Sequence, residues 1–184
     1  MTDTIDNECE LVIRAQTGDE DAFMELVTFY KPRITRMASR FGKSLSEVGD
    51  LTQEIFLEVW KSLPKYKAAA PFEHWLSKLA INRCRSYLRK EYRRAGREIL
   101  QEEPALNEAA PESAAATEAR EILNTAMKQL KPDDALVLGL KELDGWSLQE
   151  IANKTGWSLA NVKVRSHRAR QRLREVLEQS GEWP

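Results

Sequence analysis

Between Lys154 and Arg174 the chain carries Lys163, Arg165, Arg168, Arg170, Arg172 and Arg174 besides Lys154, and no acid interrupts them. His167 and the amides of Asn161 and Gln171 lie among these cations. Such a set performs no bond-making. It neutralises phosphates, and its longer members can reach the edges of bases. A solvated basic helix would show the same charge run, so charge alone does not decide between the two readings. What surrounds the run does.

Ser147 and Glu150 have the spacing of a capping box at a helix start, and Leu148, Ile151 and small Ala152 form the inward side. Gly156 falls where the chain must reverse, a position that glycine fills without steric cost. Ser158 then caps a second helix with an apolar stripe of Leu159, Val162, Ala169, Leu173, Val176 and Leu177, the gap filled by Ser166. At about 100° per residue the opposite face carries Ala160, Val164, His167, Arg168 and Gln171, flanked by Lys163 and Arg165. Cap, small residue, turn glycine and basic outer face together describe a helix-turn-helix whose second helix suits a DNA major groove.

A second basic block lies at 83–97, where Arg83, Arg85, Arg89, Lys90, Arg93, Arg94 and Arg97 stand against Glu91 alone. Residues 1–30 are the reverse, with Arg14 against Asp3, Asp6, Glu8, Glu10, Asp19, Glu20, Asp21 and Glu25. The formal net charge of −1 over 184 residues thus conceals two basic blocks, which suggest two contacts with one polyanion.

The elements that position these blocks read as helices throughout. A first pair spans residues 8–30 around a break at Thr17-Gly18-Asp19, with Asp19 as a cap, and Pro32 begins a further segment ending at Gly42. From Gly49 to Leu63, Val48, Leu51, Ile55, Phe56, Val59 and Leu63 gather on one side with Trp60 at the edge, while Asp50, Gln53, Glu54, Leu57 and Lys61 face away. An exposed leucine is common and often means nothing. In an acidic strip beside a tryptophan it equally suits a protein-docking face. Lys65 to Pro71 is a loop. A long helix follows from Phe72 to Arg94, with Phe72, Leu76, Leu79, Ala80, Cys84, Tyr87 and Leu88 inward and Lys78, Asn82, Arg85, Arg89 and Arg93 outward. Tyr66 and Trp75 fit either a core under the loop or a platform for bases.

Residues 98–117, rich in alanine, glutamate and proline, read as a flexible linker. Packing resumes with a helix from Ala119 to Leu130, and Pro132-Asp133-Asp134 starts another through Leu143. With no strand pattern, the expected fold is all-α: two small helical domains, 1–97 and 118–184, joined by an acidic tether.

Cys9 and Cys84 are too few for a disulfide framework, and with His74 and His167 they show no metal-ligand spacing. No phosphate-binding glycine loop or nucleophile beside a base is present. Neither enzyme chemistry nor a cofactor is expected. No apolar run approaches the length of a membrane helix and the first residues lack a signal-peptide pattern, so the expected place is the cytoplasm.

Three passages, DLTQEIFLEVWKSL at 50–63, FEHWLSKLAINRCRSYLRK at 72–90 and ELDGWSLQEIANKTGWSLANVKVRSHRARQRL at 142–173, resemble the extracytoplasmic-function group of bacterial RNA polymerase sigma factors. The resemblance spans nearly the whole chain. It implies a specificity subunit that binds core polymerase through its β′ and β subunits, with Asp50, Gln53, Glu54, Leu57 and Trp60 in the docking strip. It implies that Tyr66, Phe72, Trp75, Lys78, Asn82, Arg85 and Arg89 open the promoter −10 element, Ala68–Phe72 helping to shape a pocket for a flipped base. Ser158, Lys163, Val164, Arg165, His167 and Arg168 would read the −35 element. An anti-sigma factor is the further partner implied, and no small-molecule substrate. Gly139, in a helix where that group has a larger apolar residue, departs from the pattern and costs about 1 kcal/mol of helix propensity. Two other readings stand beside this one: a free-standing helix-turn-helix regulator, and an interaction module that sequesters a regulator.

Overall fold

A computed structural model of the chain describes residues 7–98, 122, 123 and 125–179. It contains seven helices: α1 (Glu8–Gln16), α2 (Glu20–Ala38), α3 (Leu45–Ser62), α4 (Phe72–Glu98), α5 (Pro132–Leu138), α6 (Leu148–Thr155) and α7 (Leu159–Gln179). A 3-10 turn, Leu63–Lys65, closes α3, and a π-helical turn, Gly139–Leu143, follows α5. Residues 122–123 and 125–128 are also helical, and there is no strand among the described residues. The all-α expectation holds. The expected linker, 98–117, lies outside the described residues apart from Glu98.

Local signals set most of the helix starts. Asp19 caps α2 by accepting from the Ala22 amide at 3.0 Å, and Arg14 bonds the same carboxylate at 2.8 Å. Those two interactions hold the Asp19 carboxyl below its ordinary value. The helix expected from Gly49 instead begins four residues earlier, because Ser44 accepts from the Glu47 amide at 3.2 Å and supplies the cap.

Pro32 does not start a separate segment: α2 runs through it to Ala38. The proline removes one backbone donor, but its ring lies on the exposed side, where water can satisfy the freed carbonyl. Leu26, Tyr30, Ile34 and Met37, before and after the proline, are buried in one stripe that keeps the helix continuous. Tyr30 also donates to the Glu8 carboxylate, tying α2 to α1; burial first, and this bond second, raise its phenol pKa.

One apolar core runs through both halves of the chain. Leu51, Ile55 and Val59 of α3 and Leu76, Ala80, Ile81 and Cys84 of α4 join Leu136, Val137, Leu140, Ile151 and Val162 in a single buried cluster. Burial pushes the Cys84 thiol up to about 12, as expected of a packing cysteine. The second half also has a small core of its own, built from Leu130, Ala135, Leu138 and Ala169. The sequence pattern separates the halves; the structure lays α5 and α6 against α4.

Candidate nucleic-acid interface

The outward strip of α3 stands as read from the helical wheel. Asp50, Gln53, Glu54 and Leu57 are all exposed, Leu57 at 49%. Glu54 accepts from Arg83 Nε at 3.1 Å, an exposed pair of small energetic weight. Trp60 is half-buried with its ring 4.7 Å from that of Phe23, so it packs at the edge of the strip. An exposed leucine with carboxylates around it suits a partner that offers an apolar pocket and a basic rim.

On α4, Lys78, Asn82 and Arg89 are exposed. Phe72 is buried, while Tyr66 and Trp75 are half-buried, their rings 5.0 Å apart. Both readings of these aromatics are partly right: they form a core under the loop, with edges left in solvent. The loop from Tyr66 to Pro71 is held at its two ends. Gln16 Nε2 donates to the carbonyls of Leu63 at 3.1 Å and Tyr66 at 2.7 Å, and the Tyr66 hydroxyl donates to the Ala70 carbonyl at 2.6 Å. Ala68, at φ 53°, adopts the left-handed region that non-glycine residues rarely occupy. Between loop and α1 lies an open hollow of about 570 Å³, lined by Val12, Gln16, Tyr66, Ala69 and Phe72 among others.

The helix-turn-helix forms as its local signals dictate. Ser147 Oγ accepts from the Glu150 amide at 3.2 Å, and Glu150 accepts from the Ser147 amide at 2.8 Å. Gly156 sits at φ +74° between α6 and α7, and Ser158 Oγ accepts from the Asn161 amide at 3.2 Å. Ser158, Lys163, His167 and Arg168 are exposed, and Val164 presents 60% of its surface.

Three arginines expected to face outward do not reach into open solvent. Arg85, half-buried, donates to Asp133 through Nε at 2.8 Å and Nη2 at 3.2 Å. Arg165 bonds Asp134 at 3.2 Å and pairs with Asp133 at 3.4 Å. Arg168 grips Asp134 through Nε at 2.6 Å and Nη2 at 2.8 Å. The helical wheel puts these side chains on the correct faces, but two carboxylates of α5 draw their guanidinium ends inward. The guanidiniums of Arg85 and Arg165 also lie over the Trp157 ring, at 4.8 and 4.7 Å from its centroid. Burial by itself would raise the Asp133 carboxyl; the hydrogen bond and charge of Arg85, with Arg165 and Arg89, outweigh it and hold the pKa below its ordinary value.

Residues 26–94 match the family Sigma-70 region 2, and residues 120–173 match Sigma-70, region 4. The chain is 30% identical over 164 residues to the RNA polymerase sigma factor CarQ of Myxococcus xanthus, covering 89% of this chain and 94% of that protein. It is 31% identical over 173 residues to the ECF RNA polymerase sigma-E factor of Escherichia coli (strain K12), covering 89% and 90%. The chain belongs to the extracytoplasmic-function sigma factors of RNA polymerase. Its fold is similar to that of CnrH in complex with the cytosolic domain of CnrY (TM-score 0.61, 24% identity, covering 92% of this chain and 96% of that one). It is also similar to that of the sigma factor RpoE in complex with the anti-sigma factor NepR from Bartonella quintana (TM-score 0.60, 20% identity, 85% and 96%).

Several residues at the surfaces of this sigma factor escaped the sequence reading. Gln16 carries no periodicity signal that would tie it to a loop some 50 residues away. Asp133 and Asp134 read only as first-turn acids, which favour any helix start, yet they gather four arginines. Among the described residues no helix is long and apolar enough to cross a membrane, and no three His, Cys, Asp or Glu side chains group as metal ligands.

Proposed function

We propose that this sigma factor is a dissociable, non-catalytic, cytoplasmic subunit that directs core RNA polymerase to a two-part promoter. In this reading the chain divides into a first domain over 1–97, a linker over 98–117 and a second domain over 118–184. The strip of Asp50, Gln53, Glu54 and Leu57, bordered by Trp60, docks on core polymerase through its β′ and β subunits. Tyr66, Phe72, Trp75, Lys78, Asn82, Arg85 and Arg89 engage the −10 element, where the hollow beside Tyr66 accepts an unstacked base. Capturing that base offsets a few kcal/mol of unstacking, so unpairing is driven by binding and needs no catalytic group.

Ser158, Lys163, Val164, Arg165, His167 and Arg168 engage the −35 element. Val164 suits a thymine methyl, and an arginine suits the O6 and N7 edge of guanine. An anti-sigma factor is the expected regulator. One solved structure of similar fold is that of a sigma factor held by such a protein.

The observation that carries this reading is the combination, in one chain, of an outward leucine within an acidic strip and a capped helix-turn-helix with a basic face. A free-standing DNA-binding regulator has no use for the first. Run-off transcription with core polymerase is the test. A promoter-dependent transcript that requires this chain is expected, and its absence with every cognate core tried would overturn the reading.

A further inference from the structure

The two halves of the chain meet in a junction that neither docking on polymerase nor reading DNA requires. Its polar centre is Asp133, in the first turn of α5. Arg85 forks onto this carboxylate from α4, Arg89 of the same helix approaches it at 3.5 Å, and Arg165 reaches it from α7. A second link between the halves, Arg40 to Asp144, measures 3.3 Å. The apolar part is as close-fitting. Leu136, Val137 and Leu140 are fully buried in the core that α3 and α4 also line.

Gly139 makes that fit possible. A Cβ at this position would stand 2.7 Å from Cε1 and 3.1 Å from Cζ of Phe41, too close for any side chain unless the halves move apart. Glycine is a poor residue for a helical turn. Its backbone here has φ −59°, a value every residue adopts, so no local conformation calls for it. The contact with Phe41 is what it serves.

Arg85 and Arg89 belong to the surface proposed for the −10 element, and Arg165 to the surface proposed for the −35 element. In the structure all three converge on one carboxylate. A guanidinium forked onto Asp133 is neutralised and turned away from phosphate, and surfaces meant for two separate promoter elements cannot both be presented while they share it.

We propose that the free chain holds itself in a closed, self-inhibited form, latched by Asp133 on Arg85, Arg89 and Arg165 and seated by Gly139 against Phe41. Docking on core polymerase separates the halves and releases the arginines to DNA. This rests on the promoter-recognition reading above. While the latch is closed, the apparent affinity for DNA falls by the fraction of molecules that are open.

The test uses the full chain without polymerase, a duplex carrying the −35 element mapped by transcription, and two variants that act by different routes. Asp133→Asn removes the latching charge. Gly139→Ala leaves every charge in place, improves local helix propensity and wedges against Phe41. Each should tighten duplex binding by about tenfold by raising the open fraction. Each should also lower energy transfer between a dye on exposed Cys9 and one on Glu178→Cys; Cys84 is buried and its raised pKa keeps it unlabelled. Far-ultraviolet circular dichroism equal to that of the parent chain shows that the variants are folded.

Glu142→Gln, which removes an exposed carboxylate of the same half, should change neither readout. Binding and energy transfer unaltered in Gly139→Ala overturn the latch. So does an equal gain in Asp133→Asn and Glu142→Gln, which would be net charge alone. With core polymerase present, both latch variants should give run-off transcript at the parent level, and a loss there overturns the proposal because the latch residues would then serve the open complex. A parent chain that supports no promoter-dependent transcript fails the sigma reading itself. Normal transcription with unaltered binding by the free variants fails only the latch.

Discussion

On α3, Asp50, Gln53 and Leu57 face solvent, and Glu54 makes one ion pair with both partners exposed. At the junction of α4, α5 and α7, two aspartates engage Arg85, Arg89, Arg165 and Arg168, and Asp134 itself is only 4% exposed. The first surface is ready for a partner as it stands. The second must give up internal bonds before it can meet one. A chain built this way is fitted to bind protein first and nucleic acid afterwards, an order that neither surface would reveal alone.

Removing one partner from each region gives the sharpest contrast. Asp134→Ala leaves two guanidiniums without their carboxylate and should cost about 2–3 kcal/mol, the buried-pair value reduced because Arg168 is itself half exposed. Glu54→Ala should change stability by no more than about 0.5 kcal/mol. Thermal unfolding measures both, and equal costs would erase the distinction between the two surfaces.

Leu57→Asp should weaken core-polymerase binding by about 2 kcal/mol, roughly 30-fold, as for a central interface residue. Duplex binding by the same chain should not change. Loss of both would mean misfolding, and loss of neither would free α3 of its assigned role.

Arg168→Ala should cost about 1.5 kcal/mol on a matched −35 duplex and much less on a scrambled one, if the side chain exchanges Asp134 for a base. An equal loss on every sequence would reduce it to a phosphate contact.

The smallest effect expected is that of pH. Asp133 titrates below its ordinary value in the closed form, so the stability it lends that form is complete above the ordinary carboxylate range. It is lost as pH falls through the depressed value. Asp144 has the opposite sign: burial raises it despite Arg40, and protonation in acid relieves the cost of its buried charge. Energy transfer across the junction should therefore fall in acid, and fall less steeply in Asp133→Asn. Identical acid profiles for the two chains would show that Asp133 does not carry the latch.

Much of the site was legible from residue types. The box formed by Ser147 and Glu150, the reversal at Gly156, the Ser158 cap and the exposed face through Val164 and His167 follow from spacing over a few residues, and geometry agrees with each. The same local logic placed Leu57 outward. It misjudged Pro32, since a proline weighs against helix continuation locally, while the stripe from Leu26 to Met37 holds α2 together through contacts with other helices. It also missed the earlier start of α3, where Ser44 and Glu47 carry the capping spacing ahead of the apolar pattern.

The sequence by itself determined which segments are helical, which face of each is apolar, where the recognition helix begins and which family the motifs resemble. These depend on periods of three and four residues and on caps that bond within one turn. Only the tertiary structure decided where the cations point. Arg85 meets Asp133 across 48 positions and Arg40 meets Asp144 across 104, and no local period encodes such a pairing. It arises because burying Leu136, Val137 and Leu140 against α4 brings Asp133 to the arginines, and that burial is possible because residue 139 has no side chain to keep Phe41 away.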